Sequence, residues 1–383
     1  MKDDSPSLCL IISARLQCAA PDLLHEQGFK GRMEPIPTTF PEDPEAVVMA
    51  WDSEIGRRVE IQRADLDALR NMDWINGATY EFGLKYVAWA SDSSFETTTR
   101  ASPDEVHVTS SFLLTKLREN GYNGVRNWFR RVDIFSKAYL LIPVNHSNNH
   151  WTLAVVCHPA KIIAPPISPI SPGSAESSLD SGPVGSYGED MCPSSAPTAR
   201  PLDLIRLSEN WSNGGRDGDG AKRSSLRSRS TDRSRDEYPS IIFMDGMRRT
   251  RPQEVSLIRN FLIREAIERR PQQLRELGHV WDSSSEASIR AAVRRFDLCN
   301  VMDAAVPMQP NGWDCGPYAV HFGRRFVSNP RMFEQIIMNE QSTPGDLLDR
   351  RTHPMWLPDM AVEARRILYT LMLKMAAEWL PSR

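Results

Sequence analysis

Residues 159–238 interrupt this chain and limit what it can fold into. "APPISPISPGSAESSLDSGPVGSYGEDMCPSSAPTARP" is rich in Pro, Ser and Gly, and "AKRSSLRSRSTDRSRDE" is an Arg/Ser run of low complexity. Neither can bury enough apolar surface to offset the entropy of ordering it, so both are expected to be disordered. Apolar runs stand on either side. "KAYLLIPVN" and "HWTLAVVCHP" read as buried strands before the interruption, and "SIIFMDGM" reads as another after it. The later strand needs partners, and the strands before the break supply them. The expectation is one folded domain over 51–158 and 239–383, a disordered insert at 159–238, and a partly disordered lead-in over 1–50, where "MEPIPTTFPEDPEA" has too many prolines for a helix or an inner strand.

The rest of the pattern is mixed, and the fold class expected is α+β. "VEI" suits a short strand and Asp65–Leu69 a helical turn. Ile75, Tyr80, Phe82, Tyr86 and Val87 form a helical stripe. Thr109 or Ser110 suits the cap of a helix ending near Gly121. Helices are expected over Glu254–Arg270, over Glu286–Phe296 and from Cys315 onward, and "AVEARRILYTLMLKMAAEWL" closes the chain as an amphipathic helix. With 40% hydrophobic residues, 25% charged residues and a net charge of −3, the chain reads as a soluble globular protein with no overall pull toward nucleic acid or membrane. The six cysteines are scattered without metal-ligand spacing, which points to reduced thiols and an intracellular address. No apolar run is long enough to span a bilayer, and the start is a poor secretory signal.

One stretch points to chemistry: "VPMQPNGWDCGPYAVHF", Val306–Phe322. Cys315 lies where a loop enters a helix, and the free N–H groups and dipole of a helix N-terminus stabilise an anion. Gly316 is expected to keep the approach open for an acyl group. Gln309 has a side-chain amide suited to donate to a developing oxyanion, with the Cys315 N–H as second donor. A cysteine nucleophile needs an imidazole base, and the base needs an orienting carboxylate. His150, at the start of a core strand, and Asp245, at the end of "IIFMD", suit those roles. Each feature alone is more often structural. Their order, each at an element boundary, makes the case.

These stretches resemble the ubiquitin-like-protein-specific cysteine proteases, the SUMO (sentrin) protease family, which share a papain-like fold with adenoviral protease. "MDWINGATYEF", "GYNGVRNWFRRVDIFSKAYLLIPVNHSNNHWTLAVVC", "IIFMDGM" and "VPMQPNGWDCGPYAVHF" carry the resemblance, over roughly 55–158 and 239–370. It implies a mixed sheet flanked by helices, with His150 as base, Asp245 as its partner, Cys315 as nucleophile and Gln309 as oxyanion donor. It also implies that Trp74 and Trp151 roof a narrow tunnel for a modifier's Gly-Gly tail. No metal or cofactor is implied. The insert is like that of the branch that trims SUMO chains. Gly77 stands where the family usually has Asp, which bears on modifier identity, and Gly246-Met247 replaces the usual Ser-Leu.

The expected function is therefore removal of SUMO from lysine conjugates, or trimming of SUMO chains, by a monomer. The rivals are the same chemistry on a Rub-type modifier or ubiquitin, and a SUMO-binding module without catalysis. Within the insert, "PLDLIRLSE" resembles a SUMO-interacting motif. Ser168-Pro169 and Ser171-Pro172 are candidate phosphorylation sites, and the Arg/Ser run suggests a nuclear address, with the cytoplasm also open.

Overall fold

The computed structural model describes residues 33–52, 58–90, 99–146, 150–164, 239–248, 252–282, 285, 287–288, 300–341, 346–347 and 350–382. One compact unit is formed by Met1–Pro166 together with Arg233–Arg383; the second, Ile167–Asp232, lies outside the described residues. The modifier-binding motif, the Ser-Pro sites and the Arg/Ser run expected in the insert lie outside them too, as does most of the helix expected over Glu286–Phe296.

In chain order the elements are β1 Val47–Trp51, β2 Val59–Gln62, α1 Arg63–Arg70, α2 Gly77–Trp89, β3 Val106–Val108, α3 Leu113–Asn120, β4 Tyr139–His146, β5 His150–Cys157, β6 Ser240–Met244, α4 Pro252–Arg269, α5 Pro271–Glu276, β7 Asn300–Asp303, α6 Cys315–Ser328, α7 Pro330–Gln341, α8 Pro358–Val362 and α9 Ala364–Trp379. β1 and β2 form an antiparallel pair, and the main sheet runs β3-β4-β5-β6-β7. Its outer pairs are parallel and its inner pairs antiparallel, so the sheet is mixed and the fold is α+β as expected.

Alternation along the inner strands divides the core between two faces. Leu141, Leu153, Val155, Ile242 and Met244 pack with Phe82, Leu84, Phe322, Phe326, Leu368 and Met372, from α2, α6 and α9. Leu140, Ile142, Ala154, Val156, Ile241 and Phe243 pack with Leu113, Leu117, Ile258, Phe261 and Leu262, from α3 and α4. β5 is buried on both faces, which is why it reads as a continuous apolar run. Among the described residues no helix is long and apolar enough to cross a membrane.

Two expected boundaries shift. The lead-in packs from Met33 onward: Met33, Ile36 and Phe40 are buried, and the Tyr369 O–H donates to the Glu34 carbonyl at 2.7 Å. Prolines hide the periodicity of this stretch without preventing its burial. At the other boundary, Pro159–Ile162 is a 3-10 turn with Ile162 buried, so packed chain continues past 158. Cys157 pairs with Ser240, so the chain leaves and returns at one end of β5, while His150 begins the other end.

Candidate active site

β5 and β6 are antiparallel with Leu153 opposite Met244. Strand alternation then puts His150 and Asp245 on the same face, just at the end of the pairing. Both are buried, and His150 Nε2 lies 2.8 Å from Asp245 Oδ1, a bond in which the ring N–H donates. The same carboxylate oxygen accepts the Met247 N–H at 2.8 Å, fixing its orientation. Nδ1 is the other ring nitrogen of His150. His146, its cross-strand partner, stacks on the His150 ring at 5.7 Å between centroids and 29° between planes. His146 is itself held at 3.0 Å by Thr152 Oγ1 and at 3.3 Å by Glu254.

Cys315 is the first residue of α6, behind the N-cap Asp314. The first-turn N–H groups of a helix lack intrahelical partners, and Cys315 stands at that end of α6. The Trp151 backbone N–H donates to Cys315 Sγ at 3.3 Å. The thiol thus touches the residue next to His150, across 164 positions of sequence. Tyr80 closes the buried side. Its O–H donates to the Thr152 carbonyl at 2.9 Å. Burial chiefly, and negative charge at Cys315 in addition, push its phenol well above the usual range, so it stays neutral.

The loop before Cys315 is ordered by its own side chains. Asn311 Oδ1 accepts the N–H groups of Trp313 and Asp314 at 3.1 and 2.9 Å, and Asn311 Nδ2 donates to Asp314 Oδ2 at 2.8 Å. Gln309 joins this loop to the residue after Asp245, its N–H donating to the Gly246 carbonyl at 3.1 Å. One hydrogen of its Nε2 goes to the Asn311 carbonyl at 2.6 Å, and a primary amide has a second to give. Gln309 Oε1 is buried with no protein partner.

The two tryptophans differ. Trp151 is buried, its Nε1–H donating to the Ile75 carbonyl at 2.8 Å and its ring 4.9 Å from that of Tyr80. Trp74 is 54% exposed, tied by its Nε1–H to the Gly312 carbonyl at 3.0 Å. Both are anchored at the segment 74–75, and Trp74 also reaches the loop before Cys315. At Gly316 a Cβ would run into the Ile75 side chain, so a residue without one is needed there. At Gly77 a Cβ would lie 2.8 Å from Ser111 Oγ, so Ser111 stands against the place of the family's usual Asp. Tyr80, His146 and Asn311 were missed as site residues. Tyr80 looks like one more member of an apolar stripe, and the polar pair sits in loop-like sequence.

The arrangement combines a thiol at a helix N-terminus, an adjacent imidazole–carboxylate pair, and an exposed indole tied to the loop before the thiol. Comparison with known proteins places the chain in a family. Residues 73–342 match the Ulp1 protease family, C-terminal catalytic domain. Ubiquitin-like-specific protease 2 of Schizosaccharomyces pombe is 24% identical over 293 residues, covering 73% of this chain and 34% of that protein. Sentrin-specific protease 5 of Mus musculus is 45% identical over 64 residues, 17% of this chain and 8% of that protein. The chain thus spans about a third or less of the length of these curated relatives. A solved structure described as a de-sumoylating protease matches with a TM-score of 0.54 and 20% identity, over 87% of this chain and 93% of that one, which supports the fold. With its family match running across most of the described fold, this chain belongs to the Ulp1 protease family.

Proposed function

We propose that this chain is a cysteine isopeptidase that releases SUMO from lysine side chains or trims SUMO chains. The observation that carries the reading is the meeting at one end of β5. There Cys315 Sγ accepts the Trp151 N–H, and the preceding residue, His150, is held by Asp245.

In this reading His150 takes the Cys315 proton and the thiolate attacks the carbonyl carbon of the modifier's C-terminal glycine. The oxyanion is held by the Cys315 N–H and the free hydrogen of Gln309 Nε2. Collapse breaks the C–N bond while His150 protonates the departing lysine amine, leaving a thioester. His150 then removes a proton from water, which attacks the thioester. Release of the modifier carboxylate restores the thiol. Trp74 and Trp151 cover the two glycines, where any Cβ would clash. Names of the relatives and the insert between β5 and β6 support SUMO, and chains of SUMO, as substrate. A monomer in the nucleus is part of the proposal, the address resting on the Arg/Ser run.

Gly77 favours testing a second substrate, a Rub-type modifier or ubiquitin, because the family's usual acid is missing there. Hydrolysis of fluorogenic C-terminal amides of SUMO, the Rub-type modifier and ubiquitin separates the two. The expected kcat/KM for SUMO exceeds the others by about 100-fold or more, a difference of roughly 2.7 kcal/mol. Preferential turnover of another modifier would keep the chemistry and replace the substrate. Folded protein that turns over none of them would overturn the function.

A further inference from the structure

Arg365 lies in the first turn of the last long helix, α9, outside the stretch that matches the family. It is 2% exposed, and all five of its N–H groups are placed. Nε donates to Asp314 Oδ1 in a buried ion pair. Nη1 donates to the Ala68 and Leu69 carbonyls, both at 3.2 Å, taking up the open end of α1. Nη2 donates to the Asp73 carbonyl at 2.8 Å and to the Trp313 carbonyl at 3.1 Å.

Asp73 precedes Trp74, while Trp313 and Asp314 precede Cys315. One guanidinium therefore joins the segment bearing the entrance indole to the turn bearing the thiol. Trp74 Nε1–H also bonds the Gly312 carbonyl across the same two segments. Asp314 puts a carboxylate in the residue immediately before the thiol. Arg365 and the Asn311 amide each take one of its oxygens. The planar five-donor fork is what such a junction needs. A lysine has three donors at one point and cannot reach both carbonyl pairs and the carboxylate.

We propose that Arg365 is a positioning residue that sets the spacing between the Trp74 segment and the Asp314–Cys315 turn, and so aligns the thiol with a tail lying under the indole. The proposal rests on the isopeptidase reading for its effect on turnover, but its effect on the thiol's setting does not depend on that reading.

The test uses Arg365→Lys in the full chain, with folding checked by circular dichroism and urea unfolding. Expected is a fall in kcat of about 30-fold or more on the SUMO amide, with KM within about 3-fold, since alignment rather than docking is lost. The alkylation rate of Cys315 by iodoacetamide, followed by peptide mass, is expected to change at least about 5-fold. A folded Arg365→Lys protein with wild-type kcat and alkylation rate would overturn the proposal. If the wild type hydrolyses no modifier, the isopeptidase reading fails, and the alkylation rate still decides for or against Arg365. A second variant separates the charge pair from the carbonyl bonds. Asp314→Leu with Arg365→Met replaces the buried ion pair by apolar groups but leaves four carbonyls without their donor, so its folding is checked in the same way. Alkylation is expected to remain altered there and kcat to stay at least about 10-fold down, because the bonds to the Asp73 and Trp313 carbonyls are not restored. Recovery of both to wild-type values would make Arg365 merely structural and overturn the proposal.

Discussion

Cys157 and Cys315 are both free, buried thiols, and one strand connects their surroundings. Cys157 ends β5, paired with Tyr139 and Ser240. Six residues back along the strand, about 20 Å away, the Trp151 N–H donates to Cys315. At Cys157, burial chiefly and the Glu334 carboxylate in addition push the thiol well above its ordinary range. At Cys315 a helix begins, a backbone N–H points at the sulfur, and a His–Asp pair stands next in sequence. Burial does not tell these two cysteines apart. The N–H aimed at the sulfur and the His–Asp pair next to it in sequence do.

The sharpest way to break that comparison is to remove each sulfur in turn. Cys315→Ala is expected to lose modifier hydrolysis by roughly 10⁴-fold or more, measured as kcat/KM on the SUMO amide. Cys157→Ala is expected to hydrolyse within about 3-fold of wild type, losing on the order of 1 kcal/mol of stability from the small cavity. Next in size is the carboxylate. Asp245→Asn keeps the shape of the site but frees the His150 ring to take the wrong tautomer, and kcat is expected to fall about 10³-fold.

A third test concerns histidines away from the thiol. Burial lowers His107, packed between Trp89 and Phe129, and His321, bonded at 2.7 Å to the Trp356 carbonyl, each to about 4. The unfolded chain protonates these groups near their ordinary value of about 6.5, before the folded chain does. Their contribution is therefore fully present above that pH and is lost as pH falls toward about 4, by on the order of 3 kcal/mol each. Urea midpoints at pH 7 and pH 5 are expected to drop equally in wild type and Cys315→Ala. A drop confined to wild type would place the acid sensitivity at the thiol instead. The smallest effect is expected at the far end of β5. Replacing 165–238 by a short flexible linker joins ends already brought together by the Cys157–Ser240 pair. Hydrolysis of a single SUMO amide is expected to stay within about 3-fold.

The site was legible where each residue marks an element boundary. His150 opens β5, Asp245 follows β6 and Cys315 opens α6, and local sequence sets those boundaries through apolar runs and a loop of Pro, Asn and Gly. The sheet was legible for the same reason, since strands buried on both faces give unbroken apolar runs. What stayed hidden depends on contacts distant in sequence. Arg365 looks like a helix surface charge beside Arg366. Its place in the buried row with Leu368, Tyr369 and Met372, at spacings of three, four and seven, was the available signal. Nothing nearby in sequence says that Ile75 packs where a Gly316 side chain would be. The lead-in from Met33 escaped notice because its burial follows from docking against α9, not from a period of its own.

The most direct measurement is to react the native protein with SUMO carrying a C-terminal thiol-reactive group and map the adduct by peptide mass. The account predicts one adduct, on Cys315, absent in Cys315→Ala and unchanged in Cys157→Ala. An adduct on Cys157 or another cysteine, or none on folded protein, would contradict it.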